Sequence, residues 1–185
     1  MIGCGGSVIF ATLTRAHGRR LLPPELLSRP VLLRNLGEMI ATAGFVSAIV
    51  LTTLSSASAI LQATPLAVTL GAALFLGEHV GWRRWSAIGV GFAGVLLIIQ
   101  PGLAGFTPAS LLAVAAVAAL ALRDLASRAI PAAVTSVQLS MWAFLSVIPT
   151  GLVMMLVLGE APVLPAAPDL ARLGGAFVFG GLGYY

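Results

Sequence analysis

The residues in this chain that could do chemistry are few, and most are amides and hydroxyls set in apolar surroundings. Ser58, Gln62, Pro65 and Thr69 recur at i, i+4, i+7 and i+11, a spacing that places them on one face of a helix. Pro65 has no N–H, so the Leu61 carbonyl loses its usual donor and must be satisfied by a hydroxyl, a neighbouring helix or water. A face of this kind can line a wet cavity, where Gln62 and the carbonyl meet a polar solute. It can equally form a helix–helix contact in which the same groups bond their neighbours. Gln138, Trp142 and Ser146 make a second row at i, i+4 and i+8, in which Trp142 either stacks on a solute or fills space between helices. Glu38 is the one acid set within a long apolar stretch, and a charge at depth is a candidate proton or ion site. Arg34, four residues earlier, offers it an i,i+4 ion pair at the membrane boundary instead. Glu78 has Arg83 and Arg84 within reach across a short loop.

What is missing narrows the chemistry further. The chain has no lysine, so a Schiff base and a GxxxxGK[ST] phosphate loop are both excluded. There is no HExxH and no paired histidine set for a metal. His17 and His79 sit at the ends of apolar stretches, whereas a serine–histidine hydrolase working inside the bilayer would need histidine at depth. Cys4 is the single cysteine, which rules out an internal disulfide and a multi-cysteine metal site. No catalytic residue, metal or cofactor is therefore expected. The pI near 10.6 raises nucleic acid as a partner, but no basic stripe with interleaved aromatics is present. The arginines suit anionic lipid headgroups better.

The elements that position these residues follow from hydropathy. The chain is 59% hydrophobic and 9% charged, with a mean hydropathy of +1.05. A soluble domain carries about a quarter charged residues, so 185 residues with so few indicate a bilayer-embedded protein. Apolar stretches are expected at 1–14, 32–54, 59–76, 82–99, 110–122 and 133–158, with a further helix beginning at 173. Most are long enough to cross ~30 Å of hydrocarbon as helix; the first is short. Residues 55–58 read as a tight polar turn, Pro65 breaks the third stretch, and Gln100-Pro101-Gly102 ends the fourth. In the fourth, Ala87, Gly91 and Gly94 share a small-residue face that serves close packing.

Basic residues alternate between the gaps. Arg15, Arg19, Arg20, Arg29 and Arg34 fill the first, Arg83 and Arg84 another, and Arg123 and Arg128 a third. The gaps between, at 53–58, 100–107 and 159–171, carry none, and Arg172 follows the last. Basic loops resist translocation, so this pattern puts the arginine-bearing ends on the cytoplasmic side. The first stretch then runs inward and the rest alternate. Trp82 and Trp85 flank Arg83 and Arg84 as an interfacial anchor. The expected fold is an all-α, multi-pass transmembrane helix bundle, with the lipid bilayer and a small solute as its partners.

From residue 55 to residue 102 the chain reads SSASAILQATPLAVTLGAALFLGEHVGWRRWSAIGVGFAGVLLIIQPG. A small-residue turn, the mid-helix Pro65, the Gly77-Glu78 pair, the Trp82–Trp85 loop, Gly89, Gly91 and Gly94, and the closing Pro101-Gly102 follow in order. This pattern resembles the end of the first repeat of the EamA-type family in the drug/metabolite transporter superfamily. The segment RDLASRAIP from Arg123 to Pro131 is similar to bacterial S-adenosylmethionine-uptake-like members. The resemblance implies a ten-helix architecture of two five-helix inverted repeats around a central site. Residues 1–102 would be a first repeat lacking its N-terminal part, and 108–185 the start of a second, so the chain reads as part of a larger membrane domain. Transport of a small metabolite by alternating access is the implied activity, with Ser58, Gln62, Pro65, Thr69, Gln138 and Trp142 as cavity candidates. A non-transporting helical scaffold and an intramembrane enzyme are the competing readings.

Overall fold

A computed structural model describes residues 2–100, 107–159 and 174–175. All regular elements among them are helical. They are α1 (Ile2–Ala16), a short 3-10 turn (Pro24–Leu27), α2 (Arg29–Leu51), α3 (Leu54–Leu61), α4 (Thr64–Phe75), α5 (Trp82–Ile99), α6 (Ser110–Arg128) and α7 (Ser136–Leu158). Pro101, Gly102, the connection beyond Gly159, Arg172 and most of the helix expected from residue 173 lie outside the described residues; Gly174 and Gly175 are helical.

Among the described residues, four stretches are long and apolar enough to cross a membrane: Leu54–Phe75, Trp82–Ile99, Ser110–Arg128 and Ser136–Leu156. The first of these joins α3 and α4. α2 has the length, at 23 residues, but carries Arg29, Arg34, Asn35 and Glu38 in its first three turns. α1, at 15 residues, is short, as its sequence implies.

Several boundaries differ from expectation for identifiable reasons. α2 begins at Arg29 because Pro30 fits the first helical turn, where its missing N–H costs nothing. The polar turn falls at Thr52 and Thr53, not at 55–58. The Thr53 hydroxyl accepts the Ser56 N–H at 3.2 Å, an N-cap that draws the serines into the first turns of α3. The stretch at 59–76 is two helices, with Gln62 and Ala63 at the junction. α6 runs six residues past Leu122, so Arg123, Asp124 and Arg128 are helical. α7 starts at Ser136, three residues later than read from hydropathy. Gln100 ends α5 in the left-handed region at φ 51°, since the proline that follows disfavours a further right-handed residue.

The chain divides into two compact units, Met1–Leu21 with Ser136–Tyr185, and Leu22–Thr135. In the first, α1 packs on α7: Phe10 and Phe144 stack with ring centroids 5.6 Å apart, and Gly6 lies directly against the Phe144 ring. Thr14, 2% exposed, returns its hydroxyl to the Phe10 carbonyl at 2.7 Å.

In the second unit α2 lies antiparallel along α6. A Cβ on Gly37 would sit 2.7 Å from the Ala119 carbonyl oxygen, and one on Gly44 2.9 Å from that of Leu112. Gly37, Ala41, Gly44 and Ala48 are buried on α2, against Ala113, Ala116, Val117 and Ala119 on α6. Between helices in lipid, dispersion at close backbone approach replaces the hydrophobic drive, and small residues permit it. The core then extends through Ala57 and Ile60 of α3, Ala63 and Ile99. Gly91 abuts Leu66, which seats α5 on α4, while Ala87 is exposed and nothing lies within 4 Å of a Cβ at Gly94. The shared small face expected for α5 is therefore a single close contact.

Candidate functional site

The α3–α4 junction holds the first row of candidates. Pro65 occupies the first turn of α4, and the Leu61 carbonyl, deprived of its usual donor, accepts the Thr64 hydroxyl at 2.6 Å. Of the ways to satisfy that carbonyl, a hydroxyl one turn along is the one used. The carbonyl is thus already engaged, which corrects the expectation that it stands free beside Gln62. Thr69 likewise returns its hydroxyl to the Pro65 carbonyl at 2.8 Å. Gln62 caps α3 and, like Pro65, is exposed, whereas Ser58 and Thr69 are half-buried. Among these residues Gln62 presents the amide that is open to a solute. Thr64 was missed in the sequence; the Thr-Pro pair was the available signal, because a threonine in a helix can bond a carbonyl one turn back.

The second row belongs to the other unit. Gln138 is 2% exposed and its Nε2 donates to the Arg20 carbonyl at 2.8 Å, tying the chain after α1 to the start of α7. Ser146 donates to the Ala143 carbonyl at 2.7 Å. Trp142 buries its indole Nε1 without an acceptor among the described residues. A buried N–H left in that state is costly, and an acceptor on a bound solute would relieve it.

The charges are organised by α6. Glu38 pairs with Arg123, Oε2 to Nη1, at 3.0 Å, and Arg123 also holds Asp124 at 2.9 Å. The expected partner, Arg34, instead donates to Asn35 at 3.2 Å. Antiparallel packing brings Arg123 over Glu38, since Gly37 lets the α6 backbone come within contact of the same turn. Both charges are less than a third exposed, and a pair at this depth avoids an isolated ion in lipid. Glu78 pairs with Arg128, not with Arg83 or Arg84. The guanidinium of Arg83 lies over the Trp82 ring at 5.6 Å, a cation–π contact that suits an interfacial anchor. Arg34, Glu38, Glu78, Arg123 and Arg128 therefore gather at one end of this unit, in keeping with the alternation of charge along the sequence.

A shallow apolar depression of about 290 Å³ is lined by Arg29, Leu32, Leu33 and Leu36 at the start of α2. None of the cavity candidates belongs to it.

Relatives identify the scaffold. The chain is 27% identical over 179 residues to an S-adenosylmethionine uptake transporter of Rickettsia felis, covering 96% of this chain and 58% of that protein. A second S-adenosylmethionine uptake transporter, from Rickettsia prowazekii, is 28% identical over 181 residues, with 97% and 58% covered. A riboflavin transporter of Rhizobium johnstonii is 47% identical over 58 residues, 31% of this chain and 19% of that protein. The chain thus spans about 58% of the length of the first two relatives and a fifth of the third. No solved structure matches it. The profile of the EamA-like transporter family matches residues 1–100, more than half of the 185, and the chain belongs to that family.

Proposed function

We propose that this chain forms part of a carrier that moves a small metabolite across the membrane by alternating access between two inverted five-helix repeats. The observation that carries the reading is the family match over residues 1–100, which takes in the broken helix α3–α4. Interrupted helices at mid-membrane are where carriers of this general kind place polar solutes, because irregular backbone is tolerated only where protein or water satisfies it. Here the break leaves Gln62 exposed beside a helix start, with half-buried Ser58 one turn before it and half-buried Thr69 in α4. Gln62 would bond the solute, and Ser58 and Thr69 would line its path. Pro65 keeps the break in place and Gln138 holds α7. Glu38 and Arg34 serve as boundary charges, with the Glu38–Arg123 pair structural rather than a proton site.

The solute is a small organic metabolite. The relatives bear the names of two, S-adenosylmethionine and riboflavin, and these head the panel to be tried. The family match and relatives named as transporters favour a carrier over an enzyme. Uptake of each labelled solute into proteoliposomes, with and without Gln62→Leu, tests the proposal. Saturable uptake lost in Gln62→Leu is expected. Uptake of a panel solute indifferent to Gln62 would refute the cavity assignment, and assembly without flux would favour a scaffold.

A further inference from the structure

We infer that the Glu78–Arg128 ion pair is a breakable latch that holds α4, and with it the face bearing Thr69, against a rigid α2–α6 pair. The inference rests on the proposed solute path along α3–α4. Two kinds of contact reach α6 in this unit. α2 meets it through main chain: Gly37 and Gly44 lie under the Ala119 and Leu112 carbonyl oxygens, which cannot turn aside. The Glu38–Arg123 pair reinforces that interface with side chains 22% and 30% exposed. These two helices have no slack between them and move as one.

α4 meets α6 through side chains. Gly71 approaches the Leu125 Cδ1, the far end of a flexible side chain, at 2.5 Å for an added Cβ. Beyond it, Glu78 and Arg128 pair with side chains 49% and 45% exposed. The chain reaches Glu78 through Gly77 at φ 66°, where nothing lies within 4 Å of an added Cβ. The Glu78 N–H turns back to the Ala72 carbonyl at 3.2 Å, the closure of a left-handed helix cap. The acid therefore hangs on an open turn, with no side chain packed around Gly77. It bridges fifty positions to Arg128 although Arg83 and Arg84 lie closer in sequence. An exposed pair contributes little to holding a fold together, but between two arrangements of similar energy it changes their ratio by roughly a few-fold. That is the strength a latch requires if it is to open in every cycle.

Spin labels at exposed Leu74 and Leu122, in the full chain with Cys4→Ser and reconstituted in lipid, read the α4–α6 separation directly. Glu78→Gln should enrich a longer distance about three-fold, and the exchange of Glu78→Arg with Arg128→Glu should restore the original distribution. No change in Glu78→Gln, or no restoration by the exchange, overturns the latch. Glu38→Gln should leave this distance alone; an equal shift there would overturn the division into fixed and breakable contacts. A membrane-impermeant thiol reagent, applied to Thr69→Cys in the same backgrounds, should react about three-fold faster when the latch is cut. A distance that shifts while Thr69→Cys stays inert throughout supports the latch and refutes the solute path.

Discussion

Gly44 of α2 lies so close to α6 that an added Cβ would stand 2.9 Å from the Leu112 carbonyl oxygen. Main chain cannot yield as a side chain does, so Gly44→Ala should force the helices apart. A loss of about 1–3 kcal/mol is expected, read as a lowered unfolding midpoint in detergent. Gly94→Ala, where open space surrounds the position, should be neutral or slightly stabilising through better helix propensity. Equal effects of the two would contradict the packing described.

Glu38→Gln leaves Arg123 with Asp124 as its one acidic partner among the described residues, whereas Arg123→Gln strands Glu38 at partial depth. Glu38→Gln and Arg123→Gln should each lower stability by about 1–2 kcal/mol, less than for a fully buried pair because both side chains keep some contact with solvent. Thermal unfolding of the singles and the double should show strong non-additivity, since the second substitution removes the stranded charge. Additive losses would mean the two do not interact.

Thr64→Val keeps the shape of the side chain and removes the hydroxyl that satisfies the Leu61 carbonyl. The carbonyl loses that donor, so a cost of about 1 kcal/mol is expected. Thr64→Ser should retain most of the stability. Wild-type behaviour of Thr64→Val, measured by the same unfolding assay, would show that the carbonyl finds another donor.

Gln62 and Gln138 should separate cleanly. Gln62 is exposed, so Gln62→Leu should lose solute uptake by about ten-fold or more, the worth of one good hydrogen bond to a bound solute, while unfolding at nearly the parental midpoint. Gln138 is buried and donates to the Arg20 carbonyl, so Gln138→Leu should lower the midpoint whatever happens to uptake. The reverse pattern would exchange their roles.

The elements were legible because lipid imposes a simple rule: apolar length decides where a helix can lie. That rule located α5 to the residue and anticipated the break before Pro65 and the demand at Leu61. It was silent where the answer depended on which helices touch. Arg34 looked like the partner of Glu38 because only neighbours along one helix can be read from spacing. The true partner lies 85 positions away and became reachable through the glycine at 37. Glu78 was misassigned for the same reason. The N-cap at Thr53 was visible in principle, since a threonine preceding serines is an ordinary helix start, but the run of small polar residues resembled a turn.

The pairing of α2 with α6 also carries a cost during synthesis. Gly44 and Leu112 are 68 residues apart in the chain. At ~5–20 residues per second the ribosome needs roughly 3–14 s to deliver one after the other. Throughout that wait the grooved side of the newborn second helix has no mate, and Glu38 has no counter-ion from the unborn sixth. Until its mate emerges, that groove lies open to lipid and to any other small-residue helix within reach.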